Sequence, residues 1–190
     1  MAMPRTQPLP GEWTVEEMWE LVPEDGNRYE VIDGVLYVTP SPSGRHQDAA
    51  TILVWLLKGY LDRARVGCVR AAPADVRFRA SRGVQPDVYV SPLIEGRRPR
   101  DWRQITHLLL AVEVLSPSTA ANDRGVKRRL YQQHADEYWI VDLDARLIER
   151  WHPGDERPEV LDTTLTWQPA GSRDALTLDV AAFFRDVLEE

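Results

Sequence analysis

The apolar stretch LLLAVEVL at residues 108–115 is the part of the sequence that decides the fold. A run of this length and composition predicts a strand that is buried on both faces, as in the centre of a parallel or mixed sheet. Its one charged residue is Glu113, and a buried carboxylate is costly unless a cation or a proton compensates it. The stretch therefore predicts a site that handles a cation or a proton. A structural salt bridge from Glu113 to an arginine is an equally compatible interpretation.

Predicted helices and strands alternate on both sides of this stretch. In chain order they are a short helix capped by Thr14, a hairpin over 28–38, a helix over 46–64, short strands between 66 and 90, a helix over 122–134, strands over 138–141, over 147–151 and near 165, and a helix over 180–188. This order predicts the α/β class, with a central mixed β-sheet flanked by helices. Residues 1–11 are expected to form a flexible tail, and residues 12–190 a single domain.

Composition and charge exclude several classes of protein. The chain has 190 residues, a net charge of −7 and a single cysteine, so it has neither an internal disulfide nor a multi-cysteine metal site. It has no apolar run long enough to cross a membrane and no secretory signal, so we expect a cytoplasmic protein without a membrane partner. Residues 61–129 nevertheless carry 14 basic and 7 acidic residues, which favours either a face that attracts a polyanion or arginines on solvated surfaces.

Common catalytic motifs are missing from the sequence. It has no glycine-rich phosphate loop, no G-x-S-x-G elbow and no histidine pair at metal-ligand spacing. The missing motifs argue against a nucleotide-binding fold and against a zinc enzyme whose ligands are histidines.

A second acidic residue, Asp87, occupies a comparable position. It follows Pro86 at the start of the predicted strand VYV, so two carboxylates can project from neighbouring strands of one sheet. Carboxylate oxygens and retained waters suit Mg²⁺, which makes Asp87 and Glu113 candidate metal ligands.

Lys127 is one of only two lysines in a chain with 21 arginines. It lies on the predicted helix that follows residues 108–115, and its i, i+4 spacing places Asp123, Lys127 and Tyr131 on one face. A site that needs a compact, adjustable ammonium group cannot use the planar guanidinium of arginine in its place. A rare lysine in an arginine-rich chain is therefore a candidate functional residue. An exposed Asp123–Lys127 pair, worth about 0.3–0.5 kcal/mol, is the competing interpretation.

Several segments between residues 28 and 151 together resemble the Uma-two family, which is classed as restriction-endonuclease-like. They are RYEVIDG at 28–34, His46, VQPDV at 84–88, VEVLSPST at 112–119, DRGVK at 123–127 and EYWIVD at 137–142. The resemblance implies the core of the PD-(D/E)XK nuclease superfamily, a mixed sheet with a metal site at its mouth. It assigns Asp87 to the "PD" element and Glu113 to the acid of "(D/E)XK". The usual lysine position is Leu115 here, and similar proteins supply that lysine from the next helix, as Lys127.

The expected activity is metal-assisted phosphodiester hydrolysis. Asp87, Glu113 and the backbone carbonyl of Val114 would hold Mg²⁺, for which Mn²⁺ could substitute, and the ion would activate a bound water. Lys127 would orient that water or stabilise charge on the phosphate. Glu30 would hold a second ion or a water, although a strand-edge acid facing solvent is as compatible with the sequence.

Further candidates surround these residues. The accessory candidates are His46, for which helix capping or a surface position is the alternative, Gln85 and Tyr131. Arg124 and Arg128 are candidate nucleic-acid contacts, with DNA as the expected partner, and a homodimer would reach both strands. Two other functions stay open: a catalytically inactive nuclease-fold module that binds nucleic acid or a protein, and a glycosidase that uses Asp87 and Glu113 as acid and base.

Overall fold

The computed structural model describes residues 8–189. The helices are α1 (Val15–Leu21), α2 (Gly44–Ala64), α3 (Ala120–Asn122), α4 (Arg128–His134) and α5 (Val180–Leu188), with a 3₁₀ turn at Trp102–Gln104 and a π turn at Asp123–Lys127. The strands are β1 (Arg28–Ile32), β2 (Val35–Thr39), β3 (Gly67–Ala71), β4 (Val76–Arg79), β5 (Arg82–Val84), β6 (Val88–Pro92), β7 (Leu110–Val114), β8 (Tyr138–Asp142), β9 (Leu147–Trp151), β10 (Glu159–Leu161), β11 (Thr164–Trp167) and β12 (Leu176–Asp179). Residues 1–7 of the expected tail lie outside the described residues, and Gly11 donates a backbone hydrogen bond to the carbonyl of Gly34.

A six-stranded mixed sheet forms the centre of the molecule, in the order β10-β9-β8-β7-β6-β3. The β7 and β8 strands are parallel, and the other neighbouring pairs are antiparallel. Every residue of β7 is buried, as predicted from its apolar sequence. The crossover from β7 to β8 runs through α3, the π turn and α4. The α/β class and the mixed sheet flanked by helices are thereby confirmed.

A smaller sheet carries the first hairpin to the edge of the site, in the order β2-β1-β5-β4. The hairpin turns at Asp33 and Gly34, which have φ angles of 51° and 78°, as a two-residue turn requires. A side chain at Gly34 would lie only 2.2 Å from the carbonyl oxygen of Gly11, so glycine is needed there for space as well as for conformation.

Two apolar cores cover the two faces of the central sheet. Val112 and Val114 pack with α2 and α5 in one core, whereas Ala111 packs with Tyr131 and Tyr138 in the other. Because side chains alternate along a strand, Glu113 points to the same face as Ala111, toward the helical crossover. This alternation is what brings the Glu113 carboxylate within reach of Lys127.

The structure differs from the sequence expectation in the crossover helix and at the C-terminal end. The expected regular helix over 122–134 is divided by the π turn, and it ends at His134 without a glycine because Ala135 is extended and forms a bridge with Leu108. The short strands β10 and β12 were not predicted. None of the helices within residues 8–189 is long and apolar enough to span a membrane.

Candidate active site

The predicted acids and the lysine line one cleft with a volume of about 720 Å³. Asp87, Glu113 and Lys127 all contribute to its wall, together with Arg28 and His46. Asp87 immediately precedes β6 and Glu113 lies on the neighbouring β7, so the central sheet sets their spacing. Lys127 reaches the cleft from the π turn.

Lys127 lies at the centre of a buried group of carboxylates. Its Nζ is 2.8 Å from Oε2 of Glu30, 3.0 Å from Oε1 of Glu113 and 3.6 Å from Oδ1 of Asp123. The Tyr131 hydroxyl donates to the same Oε1 of Glu113 at 2.9 Å. All four charged residues are buried, and the largest exposed fraction among them is the 4% of Lys127. Of the three residues with i, i+4, i+8 spacing, Lys127 and Tyr131 therefore contact the same oxygen of Glu113, and Asp123 contacts Lys127.

Burial and the neighbouring charges set the protonation behaviour of this group. Burial raises the pKa of Glu113 well above its ordinary value, and the positive charge of Lys127 offsets this only in part. Burial also raises the pKa of Asp123. For Lys127, burial alone would lower the pKa, but the charges of Glu113 and Glu30 outweigh it and raise the pKa. The lysine is thus a fixed cation among acids that are costly to ionise together.

Asp87 is in a different environment, because donors surround both of its oxygens. Its Oδ1 accepts a hydrogen bond from Nη1 of Arg28 at 2.7 Å, and its Oδ2 accepts one from the amide of Val114 at 2.8 Å. Nε2 of His46 lies 3.0 Å from the same Oδ2. Burial alone would raise the pKa of Asp87, but the His46 contact and the charge of Arg28 hold that pKa below its ordinary range.

Buried acids outnumber the buried cations that contact them. Four buried carboxyl groups, from Glu30, Asp87, Glu113 and Asp123, are contacted by the two cations Arg28 and Lys127. Burial disfavours the ionised forms of Glu113 and Asp123, and other arginines, among them Arg45 and Arg124, line the open part of the cleft. The clustered carboxylate oxygens are the kind of donor that a hard cation such as Mg²⁺ prefers.

A ready-made metal cage is nevertheless absent from the described part of the chain. No group of three Asp, Glu, His or Cys side chains within residues 8–189 is arranged around a common ion position. The protein's own cations hold the carboxylates instead, since Arg28 contacts Asp87 and Lys127 contacts Glu30 and Glu113. The donor chemistry fits a divalent ion, and these contacts must rearrange to admit one.

The geometry distinguishes between the interpretations that the sequence left open. Glu30 is 1% exposed and therefore does not face solvent, and the amide of Gln85 donates to its Oε1 at 2.8 Å. The Asp123–Lys127 pair is buried. Glu113 does form a salt bridge, but its partner is Lys127 and not an arginine.

The accessory candidates have mixed outcomes. His46 lies in the first turn of α2, and its side chain contacts Asp87, so it belongs to the site; its Nδ1 is buried without a hydrogen-bond partner. The side-chain amide of Gln85 donates to Asp75, while its backbone holds Glu30.

The two arginines expected to contact nucleic acid are both held by other protein groups. Arg124 lines the cleft and forms ion pairs with Asp142 and Glu149. Arg128 stacks over the ring of Trp151 at 4.7 Å and does not occur among the described residues that line the cleft.

Two members of the site were not assigned from the sequence. Arg28 binds Asp87, and Asp123 faces Lys127 from within the helical crossover. Arg28 could have been found, because residues two apart on a strand share a face and Arg28 precedes Glu30 by two positions.

Comparison with known proteins agrees with this architecture. The family model described as "Uma2: Putative restriction endonuclease" matches residues 15–181. An uncharacterized protein of Synechocystis sp. is 30% identical over 146 residues, which is 74% of each chain. A crystal structure described as "a putative nuclease belonging to DUF820", from Anabaena variabilis, superposes with a TM-score of 0.73 at 19% identity, covering 92% of this chain and 99% of the other. That likeness shows a shared fold, and the family match over most of the chain shows that this protein belongs to the Uma-two family.

Proposed function

We propose that the chain is a divalent-metal-dependent endonuclease. The observation that carries the proposal is the cluster of buried acids, in which the carboxyl groups of Glu30, Asp87, Glu113 and Asp123 are contacted by two buried cations beside the central sheet. Keeping several acids buried and close together is costly, and a bound cation offsets that cost. Family membership and the nuclease-like fold support hydrolysis of nucleic acid as the reaction.

In this proposal Asp87, Glu113 and the carbonyl of Val114 hold Mg²⁺, with Mn²⁺ as a substitute. The ion supplies a Lewis acid for the scissile phosphate and lowers the pKa of a bound water. Lys127 provides a fixed positive charge beside Glu113, where it orients the attacking water or stabilises the phosphate. Tyr131 positions the Glu113 carboxylate, and Glu30 and Asp123 hold the ammonium of Lys127 in place.

DNA is the proposed substrate, cut by a homodimer that reaches both strands. Arg45 at the start of α2 and Arg124 line the cleft, so a polyanion entering it meets positive charge beside the acids. The hydroxyls of Ser116 and Ser118 line the same wall and can donate to phosphate oxygens.

A cleavage assay with matched variants tests the proposal. Circular and linear duplex DNA, single-stranded DNA and RNA are incubated with the purified protein in Mg²⁺, in Mn²⁺ and in EDTA. We expect cleavage only with metal, and a loss of at least about 100-fold in rate for Asp87→Asn and for Glu113→Gln, since each removes a charged ligand. Asp136→Asn, which changes an exposed acid paired with His107, is the control and should cleave like the parent.

The result against the proposal is equally clear. Cleavage that persists in EDTA, or equal rates for Asp87→Asn and the parent, would contradict the assignment, provided that circular dichroism shows all variants to be folded.

A non-catalytic module that binds nucleic acid or a protein is the second candidate. One observation favours it: Arg28 and Lys127 already neutralise Asp87 and Glu113, and no three-ligand cage is formed within residues 8–189. A protein that binds DNA equally well with and without metal, and cleaves none of the substrates above, would fit this second function.

A further inference from the structure

Both oxygens of the Asp87 carboxylate are engaged by protein donors. Arg28 takes Oδ1, while the amide of Val114 and the ring of His46 take Oδ2. Asp87 is 3% exposed, so little water reaches it. Oδ2 has two such contacts and Oδ1 has one, so a metal ion that binds this carboxylate at Oδ1 meets the Arg28 guanidinium there.

The three donors differ in how easily they can leave. The amide of Val114 is part of β7 in the middle of the sheet, and it cannot move without disrupting the strand. His46 is held in the first turn of the 21-residue helix α2 and is largely buried. Arg28 lies at the start of β1, lines the cleft, and has a side chain that is 15% exposed, with several rotatable bonds. Its guanidinium is therefore the donor that can be displaced.

We infer that the Arg28 guanidinium is a displaceable counter-ion, which occupies Asp87 in the metal-free protein and moves to a substrate phosphate when the metal binds. The inference rests on the proposed function and adds a residue and a step to it. Two cations against one buried carboxylate oxygen repel each other strongly, so metal and guanidinium compete for Oδ1 of Asp87.

The released guanidinium has a natural second partner. Its Nη1 also donates to the carbonyl of Gln85 at 3.1 Å, which tethers the side chain to the cleft wall. A planar guanidinium offers two parallel donors that match a phosphate, and Arg28 would meet it on the wall that carries Asp87. Metal loading would thus create a phosphate contact that the metal-free protein does not offer.

Metal binding, measured without any reaction, tests the first half of the inference. Manganese affinity is determined by calorimetry for the parent, for Arg28→Gln and for Arg103→Gln, which removes an exposed arginine that pairs with Asp101 and does not line the cleft. Loss of a charged hydrogen bond that competes with the metal should tighten Mn²⁺ binding by about tenfold in Arg28→Gln and leave Arg103→Gln like the parent. Equal or weaker binding by Arg28→Gln would overturn the inference alone. No binding by any of the proteins would overturn the proposed metal site as well.

A measurement on the unaltered protein does not depend on the folding of a variant. The guanidinium signals of Arg28 are followed by NMR during titration with diamagnetic Mg²⁺. We expect the guanidinium protons of Arg28 to exchange slowly with solvent before metal is added and faster afterwards, because metal binding breaks the contact with Asp87. An unchanged exchange rate in the metal-saturated protein would refute the displacement.

The second half concerns the phosphate. DNA affinity is measured in the presence of Ca²⁺, which replaces Mg²⁺ in this binding experiment. Arg28→Gln should bind DNA about tenfold more weakly than the parent, although it binds metal more tightly. DNA affinity equal to that of the parent would refute the phosphate contact.

Discussion

At the scale of single residues, two carboxylates in one cleft behave in opposite ways. Asp87 accepts hydrogen bonds from Arg28 and Val114 and is contacted by His46, so its ionised form is favoured. Glu113 is as deeply buried but shares Lys127 with two other acids, so its ionised form is disfavoured. Burial is common to both carboxylates, and the difference comes from the hydrogen-bond donors and the charges around each one.

This contrast predicts opposite pH dependence for two neutral variants. The pKa of Asp87 is lowered in the folded state, so its stabilising effect exists above its ordinary value of 3.8 and disappears as the pH falls. Asp87→Asn should thus cost on the order of 3 kcal/mol in unfolding free energy near pH 7, and the deficit should shrink in acid. The pKa of Glu113 is raised, so ionising it destabilises the fold as the pH rises above 4.5. Glu113→Gln should therefore gain stability relative to the parent as the pH rises above 4.5.

Urea unfolding in EDTA across this pH range provides the measurement. Differences from the parent that run in the same direction for the two variants would contradict the assigned environments.

The convergence of Asp87, Glu113 and Lys127 could be predicted from sequence because each breaks a local rule. An acidic residue in an apolar strand departs from the usual burial of apolar side chains, and a lysine in an arginine-rich chain departs from the composition of that chain. The role of Arg28 was not assigned although it shares a strand face with Glu30, because its partner Asp87 is 59 residues away in the sequence.

At the scale of elements, the π turn is the feature that orients the lysine. The sequence predicted a regular α-helix over this crossover. In the structure, residues Asp123–Lys127 form a π turn, whose backbone hydrogen bonds span one more residue than those of an α-helix, and α4 follows it. Such turns occur often at functional sites because they shift the side chains of one helical face. Both Asp123 and Lys127 are buried by it, so they face the acids of the sheet. Periodicity cannot predict it, since a π turn changes spacing without changing composition.

Two glycine substitutions test how these elements are built. Gly125 lies in the π turn with open space where a side chain would be added, so Gly125→Ala should raise the unfolding free energy by up to about 1 kcal/mol. Gly34 has a φ angle of 78° and abuts the Gly11 carbonyl, so Gly34→Ala should lower the stability by clearly more than about 1 kcal/mol. Thermal and urea unfolding of both variants checks the pair. A stabilising Gly34→Ala or a strongly destabilising Gly125→Ala would contradict the described turns.

At the scale of the whole molecule, the pattern of apolar runs predicted the central sheet but not its edges. The central strands β7 and β8 are buried along their length and therefore carry a strong sequence signal. The outer strand β10 has three residues, none of them buried, and β12 has four with mixed exposure. Strands of three or four residues offer too few positions for an alternation to stand out, and pairing with a neighbour defines them.

The basic excess at residues 61–129 of the sequence does not correspond to unpaired positive charge in the structure. Arginines of the basic stretch 61–129 are paired with acids from elsewhere, as in Arg77 with Glu16, Arg82 with Asp33, and Arg124 with Asp142 and Glu149. These arginines are therefore already paired within the protein, and a local excess of basic residues in the sequence does not measure the free positive charge on the surface. The cleft combines both signs, because Arg45 and Arg124 line it together with Asp87 and Glu113.

A divalent-metal site formed by Asp87 and Glu113 is the central claim, and a manganese titration followed by calorimetry tests it most directly. The parent and the exposed-acid control Asp136→Asn are predicted to bind Mn²⁺ alike, whereas Asp87→Asn and Glu113→Gln should bind at least about tenfold more weakly. Folding of each protein is checked by circular dichroism in the same buffer. Equal affinity in all four proteins, or no binding by the parent, would contradict the account.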